Sequence, residues 1–289
     1  MQWPLLATSD LTALDVAHTL SLAASFRDGA SVAPSGTRTV GLVFFEASLR
    51  TRVGFCAAAT RLGAGTVEVY EPRASAVSMP ESWSDTIRTV AGYVNAIVAR
   101  PGRDVDRADT RIDFVPYING GDHGAEAEHP TQALVDLFAI RVLGGGHVET
   151  VVILGDPTMR AARSLISLLL RETVQVLVVT DDYFQHGVPA GARRVEISEI
   201  LDTTDVLYVT GMRHDSLPLS KRAELLLTEE VLAQLPSSSL VLSPMPLIDE
   251  IDERARLDPR VRVFDQSDLG LYVRMAVLAQ ALELEMVGQ

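Results

Sequence analysis

Short apolar runs and helix-length amphipathic stretches alternate along almost the whole chain. The run at 40–45, Val-Gly-Leu-Val-Phe-Phe, is continuous and too short for a helix, so it predicts a buried strand. Similar runs predict strands at 66–70, 95–100, 112–118, 151–154, 174–179, 206–210 and 240–242. Between them the spacing predicts helices at 11–26, 50–62, from 82 onward, 130–143, 159–171, 198–202, 221–235 and 269–286. Ser9 and Asp10 read as the cap of the first helix. The stretch 71–81 holds Pro72 and Pro80 without periodicity and reads as a long loop, a common home of function. Gly144-Gly145-Gly146 interrupts the pattern and predicts a domain boundary, with residues 1–143 before it and 144–268 after it.

Strands alternating with helices on both sides of that boundary predict an α/β protein with two doubly wound parallel-sheet domains. In such sheets ligands bind at the carboxyl ends of the strands. Ser48, Arg100, Asp156, Gly211 and Ser243 all fall at predicted strand ends. That coincidence points to a site more strongly than any one of them.

Composition narrows the classes. With 47% hydrophobic and 22% charged residues, the 289-residue chain reads as globular. A net charge of -13 argues against nucleic acid or an anionic membrane as partner. It leaves room for a small anion held by a local arginine cluster. The single cysteine, Cys56, excludes an intrachain disulfide and a cysteine-rich metal site, and its place in a helix pattern suggests a small buried side chain. No apolar run has the length of a membrane span, and the first residues lack the basic and apolar regions of a signal peptide, so a cytoplasmic location is expected.

The candidate chemistry begins where strand 40–45 hands over to the next helix. Ser48, Leu49, Arg50 and Thr51 would sit at a helix N-terminus, whose free N–H groups and dipole favour an anion. Two hydroxyls and two guanidiniums within Ser48 to Arg52 add donors suited to a phosphate. A well-capped helix with solvated arginines would read the same way on this segment alone. No Gly-rich dinucleotide fingerprint follows the first strand, and no Walker-type run is present.

Phe44-Phe45-Glu46-Ala47-Ser48-Leu49-Arg50-Thr51-Arg52, followed at family-like separation by His129-Pro130-Thr131-Gln132-Ala133-Leu134-Val135-Asp136, resembles the aspartate/ornithine carbamoyltransferase family. Glu81-Ser82, Asp85-Thr86, Leu154-Gly155-Asp156, Pro244-Met245-Pro246 and Gly270 to Ala276 extend the likeness along the chain, closer to the aspartate branch. The resemblance implies a carbamoyl-phosphate domain first and an amino-acid domain second. It implies N- and C-terminal helices on the first domain, residues 269–289 returning to it. It further implies homotrimers with shared active sites and no metal or organic cofactor.

The family's reaction is attack of an amine on the carbonyl of carbamoyl phosphate, with phosphate leaving. By resemblance, Ser48, Arg50, Thr51, the Leu49 N–H and Ser75 would hold the phosphate. Arg100, His129 and Thr51 would meet the carbonyl oxygen. Gln132 and the main-chain carbonyls near Pro244 and Met245 would hold the carbamoyl NH₂. Arg50, Thr51, Arg100, His129 and Gln132 are thus the catalytic candidates, and Arg160, Arg213 and Met245 the acceptor-binding ones. Such a mechanism is positioning plus electrostatics.

Four departures stand out. Leu49 replaces the family's threonine but keeps its N–H. Met79-Pro80 stands where the aspartate branch carries a lysine that reaches the neighbouring subunit. Gly211 and Arg213 stand where that branch carries an arginine and a glutamine for the substrate's side-chain carboxylate. Ser243 replaces a histidine. The donor half is therefore kept and the acceptor half rebuilt. Two readings follow: a carbamoyltransferase acting on an amino acid or related amine other than aspartate, or a catalytically impaired scaffold or partner subunit.

Overall fold

The computed structural model describes residues 1–33, 36–70, 81–110, 112–212 and 217–287. The chain divides into two compact units, Met1–Leu134 with Leu269–Gln289, and Val135–Asp268. The division falls inside the helix at 130–143, ahead of the triple glycine.

The first unit contains α1 (Ala13–Arg27), β1 (Ser31–Val32), β2 (Thr39–Phe44), α2 (Leu49–Arg61), β3 (Gly65–Tyr70), α3 (Trp83–Ala91), β4 (Ala96–Arg100) and β5 (Tyr117–Asn119). Its sheet is parallel with order β3-β2-β4-β5. β4 is buried throughout and β2 from Val40 on, which is why both read as unbroken apolar runs. β3 lies at the sheet edge and is largely exposed. Trp83, Ile87 and Ala91 of α3 pack with Val43, Ile97 and Ala99 in one core.

α4 (Pro130–Leu143) leads into the second unit. There follow β6 (Thr150–Leu154), α5 (Arg160–Leu169), β7 (Gln175–Val179), β8 (Arg193–Arg194), β9 (Val206–Val209), α6 (Leu219–Ala223), α7 (Glu229–Gln234) and β10 (Leu240–Leu242). Their parallel sheet has the order β10-β9-β6-β7-β8. Val152, Leu154, Leu177, Leu207, Val209 and Phe184 are at the centre of its core.

α8 (Val263–Ala281) leads back, and β11 (Met286–Val287) pairs antiparallel with β1. The Gln280 side-chain amide donates to Thr19 Oγ1 of α1 at 2.9 Å, and the Arg274 guanidinium lies over the Phe55 ring. The terminal helices thus belong to the first unit's packing.

Several boundaries differ from the sequence reading, each for a visible reason. α1 is capped by Thr12 and Asp15; Asp10 instead accepts the N–H groups of Leu6 and Ala7. The strand expected at 112–118 starts only at Tyr117, because Pro116 has no N–H and Phe114 is exposed. The helix expected at 221–235 is two short helices. Leu227 leaves the helical path to exchange backbone bonds with Glu250 and Asp252, and Thr228 then caps α7. α8 starts earlier and stops at Ala281, where Glu283 takes a left-handed φ of 52°. At 198–202 there is a single 3-10 turn, Ile197–Glu199. Cys56 is half-buried. No helix among the described residues is long and apolar enough to cross a membrane.

Candidate active site

In the first sheet β2 has β3 on one side and β4 on the other. That reversal opens a crevice at the carboxyl ends of β2 and β4. Four residues separate the end of β2 from the start of α2, and the N-cap of α2, Ser48, makes no side-chain capping bond. α1, α3 and α7, by contrast, start under Thr12, Ser82 and Thr228. The first N–H groups of α2 therefore remain available to an outside anion.

Around this terminus the structure gathers the predicted side chains. Arg100 is buried; its Nε donates to Glu46 Oε2 at 2.6 Å and its Nη1 to Ser48 Oγ at 3.3 Å. Burial and the nearby Arg100 charge hold the Arg50 guanidinium below its ordinary range. Two cations this close, without an acidic partner for Arg50 among the described residues, make a seat for negative charge. His129 Nε2 faces Thr51 Oγ1 at 3.4 Å and its Nδ1 faces Thr131 Oγ1 at 3.3 Å, all three residues being buried. Gln132 follows in the first turn of α4, its N–H bonded to the His129 carbonyl at 3.0 Å. The Leu49 side chain is 72% exposed, so only its backbone serves the cluster. Ser75, with Arg73 and Met79, lies outside the described residues.

Three members of this site had no assigned role in the sequence reading. Glu46 was legible only as part of the motif. His123, whose Nε2–H donates to Glu46 Oε2 at 2.8 Å, gave no signal. Gly121, at φ 106°, lies against His129 and Arg100 where a side chain would intrude.

The second sheet reverses between β6 and β9. Gly155 closes β6 at φ 120°, and a Cβ there would stand 2.3 Å from the Thr210 carbonyl, so only glycine fits. Asp156 Oδ1 accepts the Thr158 N–H at 2.8 Å and its hydroxyl at 2.6 Å, which shapes the loop into α5. Asp156 Oδ2 and the Thr180 and Thr210 hydroxyls are buried without hydrogen-bond partners among the described residues. Arg160 opens α5 behind Met159, again without a side-chain cap. Gly211 has open space where a Cβ would be. Arg213 lies outside the described residues.

The loop with Pro244 and Met245 is held from below. Ser243 N–H donates to Gln266 Oε1 at 2.9 Å, and Gln266 Nε2 to Asp136 Oδ1 at 2.6 Å. Tyr208 O–H donates to Asp136 Oδ2 at 2.7 Å. Burial first, and then the Asp136 charge, keep that phenol protonated far above its usual range. Met245 takes a left-handed φ of 56°, with its N–H on Ser243 Oγ at 3.3 Å. Ser243 thus supports the loop from the place of the family's histidine. Tyr208 and Gln266 were missed: the first reads as a strand residue and the second sits in a polar run. Among the described residues no group of three His, Cys, Asp or Glu could hold a metal ion.

Comparison with known proteins agrees with this layout. Residues 4–142 match the family described as aspartate/ornithine carbamoyltransferase, carbamoyl-P binding domain. The aspartate carbamoyltransferase catalytic subunit of Archaeoglobus fulgidus is 32% identical over 96% of this chain and 98% of its own length. That of Haloquadratum walsbyi is 33% identical over 95% of this chain and 96% of its own length. Among solved structures, the catalytic subunit of M. Jannaschii aspartate transcarbamoylase superposes with a TM-score of 0.85 at 26% identity, covering 98% of each chain. Aspartate transcarbamoylase from Trypanosoma cruzi with carbamoyl phosphate and aspartate gives 0.82 at 27% identity, covering 95% of this chain and 94% of that one. With two switch-point sites, uncapped helices at both and relatives matching end to end, the chain belongs to the aspartate/ornithine carbamoyltransferase family.

Proposed function

We propose that this protein transfers the carbamoyl group of carbamoyl phosphate to the amino group of an amino acid or related amine other than aspartate. The first unit binds the donor. Ser48, Arg50, Thr51 and the α2 N–H groups hold the phosphate as its charge grows. Arg100, His129 and Thr51 donate to the carbonyl oxygen, and Gln132 accepts from the carbamoyl NH₂. The amine nitrogen forms the new C–N bond, the C–O bond to phosphate breaks, and the nitrogen gives up a proton. Arg160 takes the acceptor's α-carboxylate.

The relatives are named for aspartate, and the departure from them rests on one observation. Gly211 offers open space and no cation at the end of β9. Thr210 Oγ1, one residue before Gly211, and Asp156 Oδ2, in the loop after β6, are buried without a hydrogen-bond partner among the described residues, and the second is a carboxylate oxygen able to accept. An edge of that kind suits an acceptor side chain that donates hydrogen bonds better than one that is a carboxylate. Phosphate release from carbamoyl phosphate should be assayed against aspartate, ornithine, 2,3-diaminopropionate and related amines. Turnover of a donor-bearing amine well above aspartate carries the reading. Turnover of aspartate alone overturns the acceptor part, and turnover of none favours the scaffold.

The same reading keeps a cytoplasmic homotrimer with shared sites, Ser75 serving the adjacent subunit. Leu49, Val53, Val67 and Tyr70, all substantially exposed on α2 and the edge strand β3, supply an apolar face for such contacts. Light scattering that shows a strict monomer at micromolar concentration would remove shared-site catalysis.

A further inference from the structure

One carboxylate oxygen in the first unit serves two bases. Glu46 Oε2 accepts from Arg100 Nε at 2.6 Å and from His123 Nε2 at 2.8 Å. Arg100 is one of the two cations that give the α2 terminus its affinity for an anion, and Glu46 neutralises it. His123 stands on the other side of Glu46, half-buried, in the turn that follows β5.

We infer that His123 is a positioning residue for Arg100, acting through the Glu46 carboxylate and setting the anion affinity of the donor site by its protonation. The inference rests on the reading of Arg100 as a donor-site residue. With neutral His123, Glu46 Oε2 faces one full charge, on Arg100 Nε, and one neutral N–H. An imidazolium at His123 forms its own ion pair with the same oxygen. The hold on Arg100 then weakens and the group becomes cationic by one unit, so its guanidinium is freer to meet an anion.

The other charges around this turn are themselves engaged. Arg107 reaches Asp122 and the Glu126 carbonyl, Asp104 lies against Gly124, and Glu128 accepts from Thr8. Burial holds the Asp122 carboxyl above its usual range, against the pull of the Glu128 N–H and Arg107. None of these ties replaces the His123–Glu46 contact.

The sign is definite. Anion affinity should be higher with a charged group at position 123 than with a neutral one. The test is sulfate binding to the full-length protein by calorimetry from about pH 5 to about pH 8, since sulfate keeps its charge across that range. The parent should bind several-fold more tightly at the acid end. His123→Gln should flatten this rise. His123→Lys, permanently charged, should bind at every pH about as the parent does in acid. Glu46→Gln should bind tightly throughout and lose most of the dependence. If the parent binds sulfate but His123→Gln and His123→Lys keep its pH profile, the inference fails while the donor site stands. If no protein binds sulfate, the donor-site reading fails and the inference with it.

Discussion

Gly121 lies against the imidazole of His129: a Cβ at this position would stand 3.0 Å from Cδ2. It would also stand 3.2 Å from Arg100 Nη1. Gly121→Ala adds left-handed backbone strain of about 1–3 kcal/mol at a φ of 106°. The variant should fold with a lower Tm and bind phosphate about tenfold more weakly, because both donors are displaced. Calorimetry showing parent-like affinity would mean that the glycine serves the turn alone.

Arg50, beside Arg100, has no acidic partner among the described residues, and the proposed function gives it the phosphate. Arg50→Ala removes a charge-assisted contact of about 1.5–3 kcal/mol. Phosphate affinity should fall roughly ten- to hundredfold while the melting temperature stays near that of the parent. Unchanged affinity would move the phosphate elsewhere.

A Cβ at Gly211 would meet no atom within 4 Å among the described residues. Gly211→Arg should lower the KM for aspartate by about tenfold or more, the worth of one charged hydrogen-bonded pair. Adding Met79→Lys should raise the aspartate rate further. Steady-state kinetics in which neither change helps aspartate would show that the acceptor site differs elsewhere.

The polar group under the Pro244 loop should be costly to open. Asp136→Leu leaves the Tyr208 hydroxyl and the Gln266 amide buried without their acceptor, at about 1–3 kcal/mol each. Gln266→Ala should cost less stability but should blunt turnover, since it frees the Ser243 N–H. Urea denaturation and kcat measured on both variants separate the two effects.

Acid stability has a local handle at α1. Burial opposes it, yet the Thr12 hydrogen bonds and the Met1 ammonium bring the Asp15 carboxyl down to about 2. Its unfolded value is about 3.9. The contribution is therefore complete above the unfolded value and disappears as pH falls toward the folded one. Asp15→Asn should lower Tm at neutral pH and match the parent near pH 2. A constant gap at all pH values would assign the loss to the cap geometry alone.

The cluster at the start of α2 was legible because its motifs are local. Ser48 to Thr51 and His129 to Gln132 are short motifs, and strand ends place them. What supports them was not legible, because it comes from remote turns: His123 meets Glu46 across 77 positions, and Gln266 meets Asp136 across 130. A histidine in a turn and a glutamine in a polar run carry no periodic or motif signal. The buried strands β2, β4, β6, β9 and β10 were found because parallel burial makes them almost wholly apolar, whereas the two-residue strands β1, β8 and β11 carry no such run. The helix at 221–235 was misread because Leu225, Leu232 and Leu235 keep a helical spacing while a backbone pairing at Leu227 breaks the helix between them.

α4 and α8 each pass through the division between the two units, so the first unit is assembled from two stretches far apart in the chain. That arrangement imposes an order on biosynthesis. The stretch 135–268 is continuous and can complete its sheet while the chain is still growing. The first unit has to wait: the partner for β1 and the glutamine that meets Thr19 are made only after the whole second unit. Until then the Thr19 hydroxyl and the Phe55 ring lack the partners that α8 brings. A nascent chain stalled before residue 269 thus holds a complete second unit and a first unit that cannot yet close.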